Sequence, residues 1–241
     1  MISLSREWIS VSKAIYGQEF IDELAEFLRQ QKVKIILECG CGGGHILHGL
    51  VNKGFYGLGI DSNKEMINHA LRNYKNLNIK YKQMNWLNID ELKENFDAVI
   101  CRGNSLVFVT SWEKKKQDFD PNVAKDCLVK SINKFFEKIR DGGLLYVDTI
   151  SQIEINNNGG PIEFKTEKIQ LKGKIEYDWK RRIRYIYGGG KVNGKEFYGS
   201  STSYLITPKE LEDIIKTFNP SAIWTPELVH EKDYHVICAR K

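Results

Sequence analysis

Apolar residues recur along the first 150 positions with two alternating periods. Phe20, Ile21, Leu24, Ala25, Phe27 and Leu28 repeat at helical spacing, and Val33–Leu37 follows as a short buried strand. Ile46, Leu47, Leu50 and Val51 form a second helical face that stops at Gly54, and Phe55–Ile60 is a second strand. Ser62 and Glu65 have capping-box spacing, with Met66, Ile67, Ala70, Leu71 and Tyr74 as the apolar stripe behind them. Ile79–Met84 and Phe96–Cys101 supply two more strands. A helix carrying Leu128, Ile132, Phe135, Phe136 and Ile139 then leads through a Gly142-Gly143 turn into a fifth strand, Leu144–Val147. Short strands alternating with amphipathic helices predict an α/β fold, a doubly wound and mostly parallel sheet with both faces covered.

The last 90 residues have a different rhythm. After a polar Asn156–Pro161 turn, alternating segments at Glu163–Leu171, Lys174–Tyr187 and Lys195–Ile206 read as antiparallel strands. Gly173, Gly188–Gly190 and Asn193-Gly194 are the expected turns between them. Thr207-Pro208, with Glu210 behind, opens a helix whose stripe is Leu211, Ile214, Ile215 and Phe218, and Asp233–Ala239 reads as a closing strand. The expected organisation is a core over 1–150, an antiparallel β insertion over 151–206, and a helix and strand over 207–241 that complete the core.

Composition narrows the class without naming a chemistry. The chain has 241 residues, 41% of them hydrophobic and 28% charged, and a net charge of +5, which suits a globular protein with one large core. No apolar run reaches the ~18–20 residues of a membrane span, and Met1 to Ser10 lacks a secretory pattern. A cytoplasmic location follows as an expectation. The five cysteines, Cys39, Cys41, Cys101, Cys127 and Cys238, have no metal-ligand spacing, and neither do His45, His48 and His69, so no metal is expected.

The strongest local signal is Ile35-Ile36-Leu37-Glu38-Cys39-Gly40-Cys41-Gly42-Gly43-Gly44, a strand entering a glycine loop immediately before a helix. Glycines let a ligand approach the main chain, and the helix start directs free N–H groups at it. A tight strand-to-helix turn would also want such glycines. Asp61 changes the balance: it ends the second strand 17 residues after Gly44, where a carboxylate can accept two ribose hydroxyls. A dinucleotide fingerprint would need glycine at position 45 or 47, and His45 and Leu47 stand there.

The acidic–x–Gly–x–Gly–x–Gly form led by Glu38 resembles motif I of class I S-adenosylmethionine-dependent methyltransferases. Gln83-Met84-Asn85-Trp86-Leu87 and Phe96-Asp97-Ala98-Val99-Ile100-Cys101-Arg102-Gly103-Asn104-Ser105 are similar to stretches of the glycine/sarcosine N-methyltransferase family. The resemblance covers Tyr16 to about Asp148, and more loosely Ser203-Tyr204-Leu205 and the closing strand. It implies the seven-stranded methyltransferase sheet, with the antiparallel insertion before the last helix acting as a lid. It also implies S-adenosylmethionine as cofactor, held by Glu38, Gly40, Cys41, Gly42, Gly44, Asp61, Ser62, Met66, Asn85, Trp86 and Arg102. The amide of Asn104 would face the substrate, with tyrosines such as Tyr16, Tyr198 or Tyr204 beside it. In that family an Arg two residues beyond the acidic end of the fifth strand clamps a substrate carboxylate; counting from Asp148, that place is Ile150. Arg102, Arg182 and Arg184 are the substitutes the sequence offers.

The expected activity is N-methylation of a small amine, with amino acids of the glycine/sarcosine type among the candidates. The alternatives are an amino sugar, a small hydroxyl acceptor, or a protein that binds the cofactor without catalysis. Nucleic acid is not expected as a partner. Lys114-Lys115-Lys116 and Lys180–Arg184 are basic, but the second run alternates as a solvated strand face would, and Gly103-Asn104-Ser105-Leu106 stands where base-modifying enzymes carry an Asn/Asp-Pro-Pro-aromatic run. No membrane partner is expected, and homo-oligomerisation is left open.

Overall fold

The computed structural model describes residues 4–110, 118–231 and 233–241. Five parallel strands, β1 (Ile35–Cys39), β2 (Tyr56–Asp61), β3 (Ile79–Gln83), β4 (Phe96–Cys101) and β5 (Ile139–Ile150), form the centre of the molecule. Four more, β6 (Gly159–Lys165), β7 (Ile169–Asp178), β8 (Ile183–Val192) and β9 (Lys195–Tyr204), make a separate antiparallel sheet. The chain then returns with β10 (Ala222–Trp224) and β11 (Tyr234–Arg240), and the main sheet has the order β10-β11-β5-β4-β1-β2-β3, with β11 antiparallel to β5. Among the described residues no helix is long and apolar enough to cross a membrane.

Strand residues alternate between two cores because successive side chains point to opposite faces. Leu37, Cys39, Val99, Cys101, Leu145 and Val147 pack beneath α5 (Pro121–Lys138) and α7 (Pro208–Lys216). Ile36, Ala98, Ile100, Leu144 and Tyr146 pack beneath α2 (Gln18–Gln30) and α3 (His45–Asn52). Each such aliphatic side chain, taken fully out of water, contributes ~1.5–3 kcal/mol, so both layers are firmly held. The five cysteines are all free, and Cys39, Cys101 and Cys238 lie in the strands as small apolar residues. At α7 the Thr207 side chain accepts from the Glu210 N–H, and the Glu210 carboxylate accepts from the Thr207 N–H at 2.9 Å, the expected cap.

Several local expectations are corrected. Ser62 does not cap α4 (Lys64–Asn73): β2 runs on to Asp61, whose Oδ1 accepts the Asn63 N–H at 2.8 Å, and Asn63 becomes the cap for Glu65 and Met66. Gly173 and Gly188–Gly190 lie within strands, Gly173 opposite Gly188 and Gly188 opposite Gly199. These glycines are needed for close approach rather than for turning, since a Cβ on Gly190 would sit 1.8 Å from the Gln170 carbonyl oxygen. Asn193-Gly194, at φ 51° and 77°, is the tight turn the sequence predicts. Before β5 the chain does not stop at Gly142-Gly143: the strand starts at Ile139 and accommodates a bulge opposite Phe96–Ala98. Helix α1 (Leu4–Ile15), helix α6 (Gln152–Asn156) and edge strand β10 were not anticipated.

Helix α1 links the two sheets. Val11 packs with Ile169 and Val192 of the antiparallel sheet, while Ile9 lies against Gly43, so close that a Cβ there would meet its side chain at 2.9 Å. Replacing Gly190 by Val should therefore part β7 from β8 and cost about 2 kcal/mol or more, through overpacking against backbone that cannot retreat. Urea unfolding of the variant, followed by circular dichroism, checks this.

Candidate active site

The carboxyl ends of β1, β2, β4 and β5 converge at one edge of the main sheet. Glycines at the exit of β1 allow the first part of the site. Gly40, Gly42 and Gly44 have φ of 77°, 52° and 84°, a left-handed region that residues with a Cβ seldom occupy. Gly44 is also hemmed in, since a Cβ there would meet Ala70 and Tyr81 at 2.8 Å. Gly42 is different: no atom lies within 4 Å of the place its Cβ would take. The loop is tied down from β2, where Asp61 Oδ2 accepts the Gly42 N–H at 2.9 Å and Ile60 O accepts the N–H groups of Gly40 and Cys41.

Glu38 is 3% exposed, and among the described residues its Oε2 has no hydrogen-bond partner. Burial pushes its carboxyl up to about 8, Arg102 opposes that shift, and Asp61 adds to it. Cys41 is buried beside them and its thiol is held protonated by the same loss of water. Met66 is buried on α4 and Ser62 is exposed at its approach. Trp86 closes the floor: its ring reaches the space beside Gly40, its Nε1 donates to Ser131 Oγ at 3.0 Å, and its edge meets Phe135. Asn85 caps the short 3-10 helix Trp86–Glu91 through its side-chain oxygen, which accepts the Leu87 N–H at 2.9 Å.

The exit of β4 is built around Asp148, fully buried at the end of β5. Its two carboxylate oxygens accept the N–H groups of Gly103 and Asn104, both at 2.6 Å. That grip holds Asn104 at φ 55°, and the Asn104 side chain, 2% exposed, has neither amide atom hydrogen-bonded among the described residues. Burial and the nearby Glu231 raise the Asp148 carboxyl, while Arg102 and the two N–H groups pull it down. Arg102 is 5% exposed; its guanidinium stacks on Tyr16 at 3.9 Å and Phe20 at 4.4 Å and donates to Glu231 Oε2 at 2.9 Å. Burial raises the Tyr16 hydroxyl far above its ordinary range. His45, at the start of α3, has a buried Nε2 with no partner among the described residues, and burial followed by Arg102 lowers its ring to about 4.

Other expected residues fall elsewhere. Tyr204 is buried at the end of β9 within reach of Arg182, whereas Tyr198 is 75% exposed on the outside of the antiparallel sheet. Arg184 does not belong to a solvated strand face: α6 lies across it, and Glu154 of that helix accepts two hydrogen bonds from its guanidinium, at 2.7 and 3.1 Å. Arg182 pairs with Glu210. Ile150, at the clamp position, is buried opposite Tyr234. Lys114-Lys115-Lys116 lie outside the described residues. Sequence reasoning missed Glu231, because a lone Glu in a loop carries no pattern; its position before β11, beside the closing strand, was the only available hint.

These features fit S-adenosylmethionine: an unpartnered buried carboxylate at the end of β1, an amide unsatisfied at the end of β4, and clear space over Gly42. Residues 36–119 match the family model of a methyltransferase domain. Residues 36–119 thus read as a methyltransferase domain, and the sheet around them has the fold of solved S-adenosylmethionine-dependent methyltransferases. More particularly, the chain is similar to mouse glycine N-methyltransferase, 27% identical over 135 residues that cover 52% of this chain and 43% of that protein. Glycine/sarcosine N-methyltransferase of Aphanothece halophytica is 26% identical over 171 residues, 66% of this chain and 58% of the relative. The chain thus matches about half the length of these curated relatives. In fold it is similar to CalS10, an amino pentose methyltransferase from Micromonospora echinaspora solved with bound cofactor, at TM-score 0.72, 15% identity and coverage of 96% and 95%. DesVI of Streptomyces venezuelae superposes at TM-score 0.71 with 14% identity, again over 96% and 95%.

Two outcomes check this site. Glu38 has a raised carboxyl, so its neutral form contributes stability that is complete below an ordinary value near 4.5 and lost as pH rises through about 8. Ligand-free Glu38→Gln should gain on wild type by ~3–5 kcal/mol at most between about pH 5 and 9 in chemical denaturation. Separately, Gly42→Val should abolish S-adenosylhomocysteine binding in calorimetry and lower the urea midpoint, with the circular dichroism spectrum still that of a folded chain, because the new side chain enters the open space and a β-branched residue is strained at φ 52°.

Proposed function

We propose that this chain transfers a methyl group from S-adenosylmethionine to the nitrogen of a small amine that carries no carboxylate, an amino sugar being the class that fits best. The observation that carries this reading is that, among the described residues, each guanidinium the sequence offers as a carboxylate clamp already has a carboxylate partner. Arg102 is held by Glu231, Arg182 by Glu210 and Arg184 by Glu154, and the family's clamp position is Ile150. A free carboxylate brought into this edge would find Asp148 and Glu231 instead, and burying it unpaired would cost several kcal/mol. The same two carboxylates favour a cationic acceptor.

S-adenosylmethionine supplies a methyl group on a sulfonium, ready for in-line displacement. Glu38, the Gly40–Gly44 loop, Asp61, Asn85 and Trp86 are the residues that would hold it, with Arg102 flanking them. Asp61 is set to accept from a ribose as well as from Gly42, and Trp86 offers a flat apolar wall to an adenine. On the acceptor side Asn104 presents a carbonyl oxygen and an amide, both buried and unused, to orient the amine and to meet charge developing on its nitrogen. Tyr16, stacked on Arg102, lines the approach. Helix α1 and the antiparallel sheet exclude water above the site, which strengthens each of these electrostatic contacts.

Incubation with methyl-labelled cofactor and a panel of glucosamine, ethanolamine, glycine amide, glycine, sarcosine, a sugar without an amine, RNA and DNA tests the proposal. Label should enter the carboxylate-free amines at kcat/KM values at least tenfold above those for glycine and sarcosine. Preference for glycine or sarcosine overturns the carboxylate argument, label in the amine-free sugar shows an oxygen acceptor, and label nowhere shows a protein that binds the cofactor without catalysis.

A further inference from the structure

An amine with an ordinary pKa is protonated at neutral pH and has no lone pair to offer, so some group must take a proton before methyl transfer. Resting on the acceptor proposed above, we propose that Glu231 is that group: its Oε1 binds the acceptor's ammonium and removes its proton. The Glu231 side chain is 1% exposed, and its Oε2 is fixed by Arg102. Arg102 is itself immobilised between Tyr16 and Phe20, so Glu231 has one orientation. Its other oxygen, Oε1, is buried and has no hydrogen-bond partner among the described residues. A buried carboxylate oxygen left in that state is costly unless a donor arrives to satisfy it.

The neighbourhood selects a cationic donor. Glu231 lies in the loop before β11, at the same sheet edge as the exits of β4 and β5. It is faced by Arg102 from the exit of β4, by Tyr146 and Asp148 from β5, by Tyr16 from the end of α1 and by Tyr234 from β11. Asp148 cannot serve as the proton acceptor, because both its oxygens are committed to the backbone of Gly103 and Asn104. The Tyr146 hydroxyl, wholly buried, and both amide atoms of Asn104 also have no hydrogen-bond partner among the described residues, so this edge holds further polar atoms that a polar guest would satisfy. An N–H bond of the ammonium breaks, its electron pair stays on nitrogen as the attacking lone pair, and the proton goes to Oε1. After transfer the proton leaves Glu231 for solvent as product departs.

The acceptor methylated fastest in the panel above serves as probe. Glu231→Gln should lower kcat/KM at least 100-fold at pH 7, the loss shrinking about tenfold per pH unit as solution supplies free amine. Glu231→Asp should keep the wild-type shape of the pH profile. S-adenosylhomocysteine should bind both variants within threefold of wild type. In wild type, calorimetry in two buffers of unlike ionisation enthalpy should show no proton released when the amine binds the S-adenosylhomocysteine complex at pH 7; in Glu231→Gln about one proton is released. A loss equal at every pH assigns Glu231 to bracing Arg102 alone and overturns the proposal, as does a Glu231→Gln rate within threefold of wild type. Release of one proton by wild type overturns it even if the variant does not fold. Failure of wild type to methylate any amine overturns the acceptor reading instead, and this role with it.

Discussion

The functional edge depends on the Asp148 carboxylate and the two backbone N–H groups it holds. Both bonds are 2.6 Å, and together they lock the end of β5 to the exit of β4. Charge-assisted hydrogen bonds of this kind are about twice as strong as neutral ones, and here no water competes for them. Without that grip Asn104 would have no reason to hold a left-handed backbone, a conformation that Asn tolerates better than most residues. The direction of Arg102, two positions earlier, follows from the same turn, and with it the place where Glu231 docks. One carboxylate thus sets the geometry of three side chains.

The cofactor half of the site is organised by the same principle from the other side. Asp61 braces the glycine loop through Gly42 and also starts the turn into α4. One side chain thus fixes the loop after β1 and the turn after β2 together. Around both halves, three buried carboxyl groups, Glu38, Asp148 and Glu231, lie near one buried guanidinium, Arg102. Glu38 meets that imbalance by holding its proton.

The enclosure comes from elements outside the parallel sheet. Helix α1 touches the glycine loop through Ile9 and the antiparallel sheet through Val11, so neither sheet covers the site alone. Arg184 and Glu154 fasten the antiparallel sheet to α6 directly after β5. A basic residue that looks solvated in a strand pattern is in fact a buried fastener.

The sequence by itself determined the local elements and the cofactor loop. Strand–helix alternation, the glycines after Glu38 and the carboxylate at Asp61 are short-range features, fixed by side-chain period and by backbone conformations only glycine adopts readily. The Thr207–Glu210 cap and the Asn193-Gly194 turn were legible for the same reason. Where a glycine serves close approach between strands, as at Gly173 and Gly188–Gly190, the sequence reads as a turn, because the strand opposite is invisible in one dimension. Helix α1 has apolar positions at helical spacing, yet only the folded chain shows the two surfaces it joins. The partners of Arg102, Arg184 and Asp148 lie 129, 30 and 44–45 residues away, and charge pairing over such separations leaves no periodic trace. Tertiary structure therefore decided which cations were already paired.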